Sequence, residues 1–112
     1  MNNNSSILFG RFDEFLWIRC SGRGSFSNSP TVKSLGDEYI ASGGRLIVID
    51  LETCSGIDST FMGTLAGLAR RLMPIDGAVQ IASPSERCLS ALESLGLDAL
   101  LSIEPPTAPW RG

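Results

Sequence analysis

Arg45-Leu46-Ile47-Val48-Ile49-Asp50-Leu51-Glu52-Thr53-Cys54-Ser55-Gly56-Ile57-Asp58-Ser59-Thr60-Phe61-Met62-Gly63-Thr64-Leu65-Ala66-Gly67-Leu68 is the stretch whose reading decides the fold. Arg45 to Leu51 is a short apolar, β-branched run with no polar face. It predicts a central strand covered by helices on both sides. After a loop, Phe61, Leu65, Leu68 and Leu72 recur at helical spacing beside Met62, Ala66, Ala69 and Met73, so an amphipathic helix opens near Ser59. Asp58 is placed to cap it, because the first amide groups of a helix lack intrahelical acceptors and carry partial positive charge. On pattern alone, Asp58-Ser59 reads as a helix start. A phosphate on Ser59 would lie close to the same donors and would add about −1.5 to −2 charge beside Asp58, Glu52 and Asp50. Gly63 and Gly67 each cost roughly 1 kcal/mol in a helix interior, which predicts close packing of this helix within the domain. Arg70 and Arg71 complement the dipole at its C-terminal end, and Pro74 stops it.

The remaining chain alternates strands and helices around this unit. Ile7–Phe9 and Phe15–Cys20 are apolar runs separated by Gly10-Arg11-Phe12-Asp13-Glu14, which predicts a hairpin. Pro30 suits the first position of a helix capped by Ser29, with Val32, Leu35, Tyr39 and Ile40 on one face and Gly43-Gly44 at its end. Ala78–Ala82 reads as another strand. Ser83-Pro84-Ser85-Glu86 reads as a capping box with proline at the first helical position, opening a helix that turns Cys88, Leu89, Leu92 and Leu95 inward. Gly96 closes that helix, Leu97 makes the apolar contact of its end, and a last short strand falls within Asp98–Ile103. The expected organisation is a disordered N-terminus over residues 1–6, one domain over 7–103 and a Pro-rich tail over 104–112 that contains Trp110. The expected fold class is α/β, a mixed four- to five-stranded sheet with helices packed on it.

Composition excludes several functions. The 112 residues, 43% of them hydrophobic, suit a single compact core. Net charge is −3, and the nine basic residues are scattered, so no nucleic-acid surface is expected. No apolar run reaches the ~18 residues of a membrane span. Met1-Asn2-Asn3-Asn4-Ser5-Ser6 lacks the basic and apolar regions of a signal peptide, so a cytoplasmic location is expected. Cys20, Cys54 and Cys88 are odd in number and widely spaced, and histidine is absent, which offers neither a disulfide framework nor a zinc site; all three read as packing residues. Without histidine, a serine nucleophile would need a lysine or carboxylate base, and Lys33, the only lysine, has no evident link to Ser59. Gly22-Arg23-Gly24 has no third glycine for a phosphate loop. The chain reads as a substrate rather than an enzyme, with no cofactor and no metal.

Ile49-Asp50-Leu51, Ile57-Asp58-Ser59-Thr60 and Gly63, supported by the strand, proline and helix of Val79–Leu95 and by Leu95-Gly96-Leu97, resemble the STAS domain family, whose best-known members are bacterial anti-sigma factor antagonists. The order of elements over residues 7–103 resembles that fold too. In the family, the serine directly after the aspartate is phosphorylated, and the matching residue is Ser59. The resemblance implies a protein-binding switch. Unphosphorylated, it would bind an anti-sigma factor with serine-kinase activity, and a phosphate on Ser59 would release it until a phosphatase acted. Asp50, Cys54, Ser55, Gly56, Asp58, Thr60, Phe61 and Met62 would form the partner surface. Because Leu65, Leu68 and Leu72 already supply the inward face of the helix, at least one of Phe61 and Met62 is expected to project outward beside Ser59 as an apolar anchor. The chain departs from the family in two places. Phe61-Met62-Gly63 stands where Gly-Leu-Gly is common, and Gly22-Arg23-Gly24-Ser25-Phe26-Ser27 stands where antagonists often carry Gly-Glu-Leu-Asp. The alternative is a non-enzymatic ligand-binding or scaffold module of a sensory or transport assembly, in which Ser59 is only a helix-start residue.

Overall fold

The strand at Leu46–Asp50 (β3) lies in the middle of the sheet, paired from Ile47 to Asp50 on one edge and along its whole length on the other. In this computed structural model, residues 5–104 are described. Residues 1–4 and 105–112, with Trp110, lie outside the described residues, whereas Ser6, expected in the N-terminal segment, and Glu104, expected in the tail, belong to strands. The hairpin pairs Ser6–Arg11 (β1) antiparallel to Leu16–Gly24 (β2). β2 then runs parallel to β3, β3 parallel to Ala78–Ala82 (β5), and β5 parallel to Ser102–Glu104 (β6), in the spatial order β1-β2-β3-β5-β6. Three helices, Ser29–Ala41 (α1), Ser59–Leu72 (α2) and Glu86–Ser94 (α3), supply the crossovers.

The mixed α/β sheet agrees with the sequence, with one strand added. Cys54–Ile57 (β4), read from sequence as loop, pairs parallel to the far end of β2 after a register shift between Gly22 and Arg23. β2 therefore extends beyond Cys20, the expected strand end, and is shared by β3 along its first half and β4 along its second.

One apolar cluster unites Leu16, Ile18 and Cys20 of β2 and Ile47 and Ile49 of β3 with the buried faces of all three helices. The central strand is not sandwiched between helix layers, as its apolar run suggested. On its other face Val48 and Asp50 are also buried, at 1% and 0% exposure, beside the registered pairs Trp17↔Val48 and Arg19↔Asp50. The long side chains of β2 do there what a helix would do. The Arg19 guanidinium sits over the Trp17 ring and donates twice to Asp50 Oδ2 (3.1 and 2.9 Å), Trp17 Nε1 donates to the same oxygen, and the Glu52 amide donates to Oδ1 at 2.9 Å. A buried carboxylate is tolerable only with such complete hydrogen bonding.

The helix starts also differ in detail. Asn28 occupies the N-cap position of α1, while Ser29 is buried and its hydroxyl donates back to the Ser25 carbonyl. α3 is capped by Ser85, whose Oγ accepts from the Cys88 amide, with Pro84 preceding the cap instead of opening the helix. Leu95, expected inside, is 55% exposed because α3 has ended at Ser94, whereas Leu97 packs on the core after left-handed Gly96.

Removing Arg19 leaves Asp50 buried without its cation. Arg19→Ala should therefore lower unfolding free energy by about 3 kcal/mol, read as a fall in the urea midpoint, whereas Glu52→Ala, at an exposed 3.4 Å pair, should cost under ~1 kcal/mol.

Candidate functional site

The site assembles where β4 ends and α2 begins. Gly24 is forced to be glycine by this junction, since a Cβ there would stand 2.9 Å from both Ile57 and Phe61. That close approach brings the Gly24 carbonyl to the Asp58 amide at 2.9 Å. Asp58, extended at φ −99° and ψ 176°, is the N-cap residue, and its Oδ1 accepts from the Phe61 amide at 2.9 Å. Its other oxygen leaves the helix altogether. Asp58 Oδ2 accepts from the Phe26 amide at 3.0 Å, tying the turn between β2 and α1 to the start of α2. The Asp58 carbonyl also accepts from Met62, so the amides of Ser59 and Thr60 remain as the first-turn groups with no intrahelical acceptor.

Burial divides the expected site residues in two. Ser59, Thr60 and Ser55 are exposed and Asp58 is half-buried. Ser55 uses its hydroxyl to bond the Gly22 carbonyl at 2.8 Å. Asp50, Cys54, Gly56, Phe61 and Met62 are buried. The last two correct the expectation of an outward anchor. Phe61 is 0% and Met62 6% exposed, both within the core cluster, because the apolar stripe of α2 is broad enough to take positions 61 and 62 together with 65, 66, 68, 69 and 72. Asp50 is consumed by Arg19 and Trp17, and Cys54 points into the core. None of these five offers a partner its side chain.

The exposed apolar residue tied to this junction is Phe26, 70% exposed, whose amide donates to Asp58. In the sequence Phe26 stood out only as part of the Gly22–Ser27 stretch that departs from the family pattern. Only its bond to a carboxylate 32 residues away reveals it.

The exposed side of α2 is equally distinct. Gly63 and Gly67 were expected to pack tightly, yet a Cβ at either would meet nothing within 4 Å. They are exposed and floor a groove of about 310 Å³ between α1 and α2, walled by Lys33, Asp37, Thr60, Thr64 and Arg71. Lys33 donates to Asp37 at 2.7 Å and Arg71 reaches the other Asp37 oxygen from α2, so the groove's far rim is an ion-pair network. The Lys33 bond, with Arg71 assisting, holds the Asp37 carboxyl below its ordinary value. No group of three or more potential metal ligands is gathered among the described residues, and no described helix is long and apolar enough to cross a membrane.

The STAS domain family model matches residues 8–108. No curated protein sequence matches significantly. Among solved structures, a Thermotoga maritima protein assigned as an anti-sigma factor antagonist superposes with TM-score 0.80 at 20% identity, over 94% of this chain and 90% of that one. The Bacillus cell fate determinant SpoIIAA in its phosphorylated form gives 0.77 at 19%, over 95% and 96%. An anti-sigma factor antagonist from Mycobacterium paratuberculosis gives 0.76 at 19%, over 96% and 90%. At these identities the likeness to the structures is one of fold.

Placing Met62 in the core carries a direct consequence. Met62→Ala should destabilise the protein by 2–5 kcal/mol as a cavity-forming substitution, while Gly63→Ala, in open space on the same helix, should stabilise it by roughly 0.5–1 kcal/mol; thermal and urea melts of the two variants read both.

Proposed function

Because the chain belongs to the STAS domain family, we propose that it is a phosphorylation-switched protein-binding domain acting as an anti-sigma factor antagonist. Unphosphorylated, it binds an anti-sigma factor serine kinase in the cytoplasm; phosphorylated on Ser59, it is released, and a phosphatase resets it. The observation that carries this reading is the exposed Ser59 on the first turn of α2, directly after a cap whose carboxylate also holds the neighbouring turn.

That arrangement suits a switch in two ways. Ser59 is presented to a kinase on a rigid base, because Phe61, Met62 and Leu65 beneath it are buried. A phosphate there adds about −1.5 to −2 charge within reach of the first-turn amides, so the helix tolerates it. The same charge is repelled by Asp58, whose Oδ2 is the acceptor holding the Phe26 turn. The cost of phosphorylation thus falls on the surface that a partner meets. The partner surface of this proposal comprises Ser55, Asp58, Ser59 and Thr60, with Phe26 as the apolar anchor in place of Phe61 and Met62. Aromatic anchors of this kind carry a disproportionate share of interface energy. The chain contributes no catalytic group. Phosphate comes from the partner's ATP and Mg2+.

Incubation with an anti-sigma factor serine kinase and ATP, followed by mass spectrometry, should find one phosphate on the peptide spanning residues 46–70. Ser59→Ala should abolish it and Thr60→Ala should leave it, whereas undiminished labelling of Ser59→Ala would contradict the assignment. Phe26→Ala should weaken partner binding by at least ~1 kcal/mol with an unchanged melting temperature.

A further inference from the structure

Arg23, near the end of β2, and Arg87, on the first turn of α3, come together over Gly56 of β4. Arg23 is registered with Gly56 across the β2–β4 pair, and a Cβ at Gly56 would have Arg23 Nη1 at 3.4 Å and Arg87 Cδ at 3.5 Å as its neighbours. Both arginines are exposed. Among the described residues neither belongs to any of the four ion pairs, and neither side chain makes a hydrogen bond. We infer that Arg23 and Arg87 form a docking site for an acidic segment, at which two guanidinium groups receive carboxylates of the protein partner that binds at Ser59. This inference deepens the proposed function and rests on it.

The other described basic groups show how this chain compensates its cations. Arg19 is closed by Asp50, Lys33 and Arg71 share Asp37, Arg11 donates to Ser42 Oγ, and Arg45 reaches the Ile75 carbonyl. Arg70 has no such bond, but it lies in the last turn of α2, where the helix dipole favours a cation. Arg87 has the opposite placement, on a first turn whose free amides already carry partial positive charge. Glu86 offsets part of that charge from the same turn, yet it pairs with neither arginine. Residues 1–4 and 105–112 contain no Asp or Glu, so no side chain of those segments supplies the missing counter-charge. The fold gains nothing from bringing two like charges to one helix start. Incoming carboxylates offset both.

The pair adjoins the surface proposed for the partner. Gly56 follows Ser55, whose hydroxyl bonds the Gly22 carbonyl, and leads through Ile57 to the Asp58 cap and Ser59. Arg23 precedes Gly24, whose carbonyl accepts from the Asp58 amide, and so opens the turn that carries Phe26. Charge complementarity selects the occupant. With a net charge of −3, the chain holds an acidic partner only through a local excess of cations, which these two arginines provide. Guanidinium suits the role because its planar donors match a carboxylate in two parallel hydrogen bonds.

The test is calorimetric titration of an anti-sigma factor serine kinase with three unphosphorylated proteins, the wild type, Arg23→Gln/Arg87→Gln and Arg23→Glu/Arg87→Glu, at low and at high sodium chloride. The charge-reversed variant should bind at least ~10-fold more weakly than the wild type, with the neutral variant between them. Wild-type affinity should fall more steeply with salt than that of the neutral variant. Thermal melts of the three should nearly coincide, because both side chains are exposed and unbonded; if a double variant melts early, Arg23→Gln and Arg87→Gln are compared singly. Wild-type affinity and salt dependence in the variants would overturn the inference and leave the proposed function standing. Tighter binding by the charge-reversed variant would overturn it too, since the facing surface would then be basic. A wild type that binds no such kinase would overturn the proposed function and this inference with it.

Discussion

One carboxylate organises the end of the molecule that holds the candidate site. Asp58 accepts from the Phe61 amide with one oxygen and from the Phe26 amide with the other, and its own amide donates to Gly24. Three chain segments that are distant in sequence, the end of β2 with its turn, the end of β4 and the start of α2, are thereby fixed to one residue. A helix cap alone is worth about 0.5–2 kcal/mol. Here the same group also ties the backbone of an exposed aromatic residue to the start of the helix that carries an exposed serine, so deleting it would disturb both segments. The absence of a side chain at Gly24 is the complementary constraint, since any Cβ would push Phe61 and Ile57 away from β2 and carry Asp58 with them.

α2 divides labour between its faces. Its inner face is continuous with the core from Phe61 to Leu72 and holds the helix in place, while its outer face shows serine, threonine and glycine to solvent. Stability is drawn from one side, and the proposed recognition from the other. In the proposed switch, phosphate on Ser59 would alter charge and hydrogen bonding on the outer side without touching apolar packing, which is the property a reversible switch requires. Across the sheet, Asp50 shows the opposite economy. Its carboxylate is sealed by Arg19, Trp17 and the Glu52 amide, and it serves the fold rather than the surface.

What was legible in the sequence follows from where each signal is stored. β3, β5 and α2 declared themselves because burial imposes a pattern on consecutive residues: an apolar run in β3 and a stripe at helical spacing in α2. Asp58 and Ser59 were legible because a cap is a local chemical necessity. β4 was not, since Cys-Ser-Gly-Ile has neither alternation nor strong β-propensity and becomes a strand only by pairing with β2 past a bulge. Phe61 and Met62 were misplaced for a related reason: the sequence shows which residues form a stripe but not how wide a stripe the sheet accepts. Gly63 and Gly67 invited a packing explanation, yet the structure leaves them facing a groove. The hold on Phe26 depends on a contact across 32 residues, which no local pattern encodes.

The central claim is that charge on Ser59, and not a change of fold, governs association. The most direct measurement is calorimetric titration of an anti-sigma factor serine kinase with the unphosphorylated protein and with the protein carrying a single phosphate on Ser59, alongside a thermal melt of each form. The account predicts at least ~10-fold weaker binding of the phosphorylated form, about 1.4 kcal/mol, with both forms folded and melting at closely similar temperatures. Equal affinities for the two forms, or a loss of binding that accompanies unfolding, would contradict it.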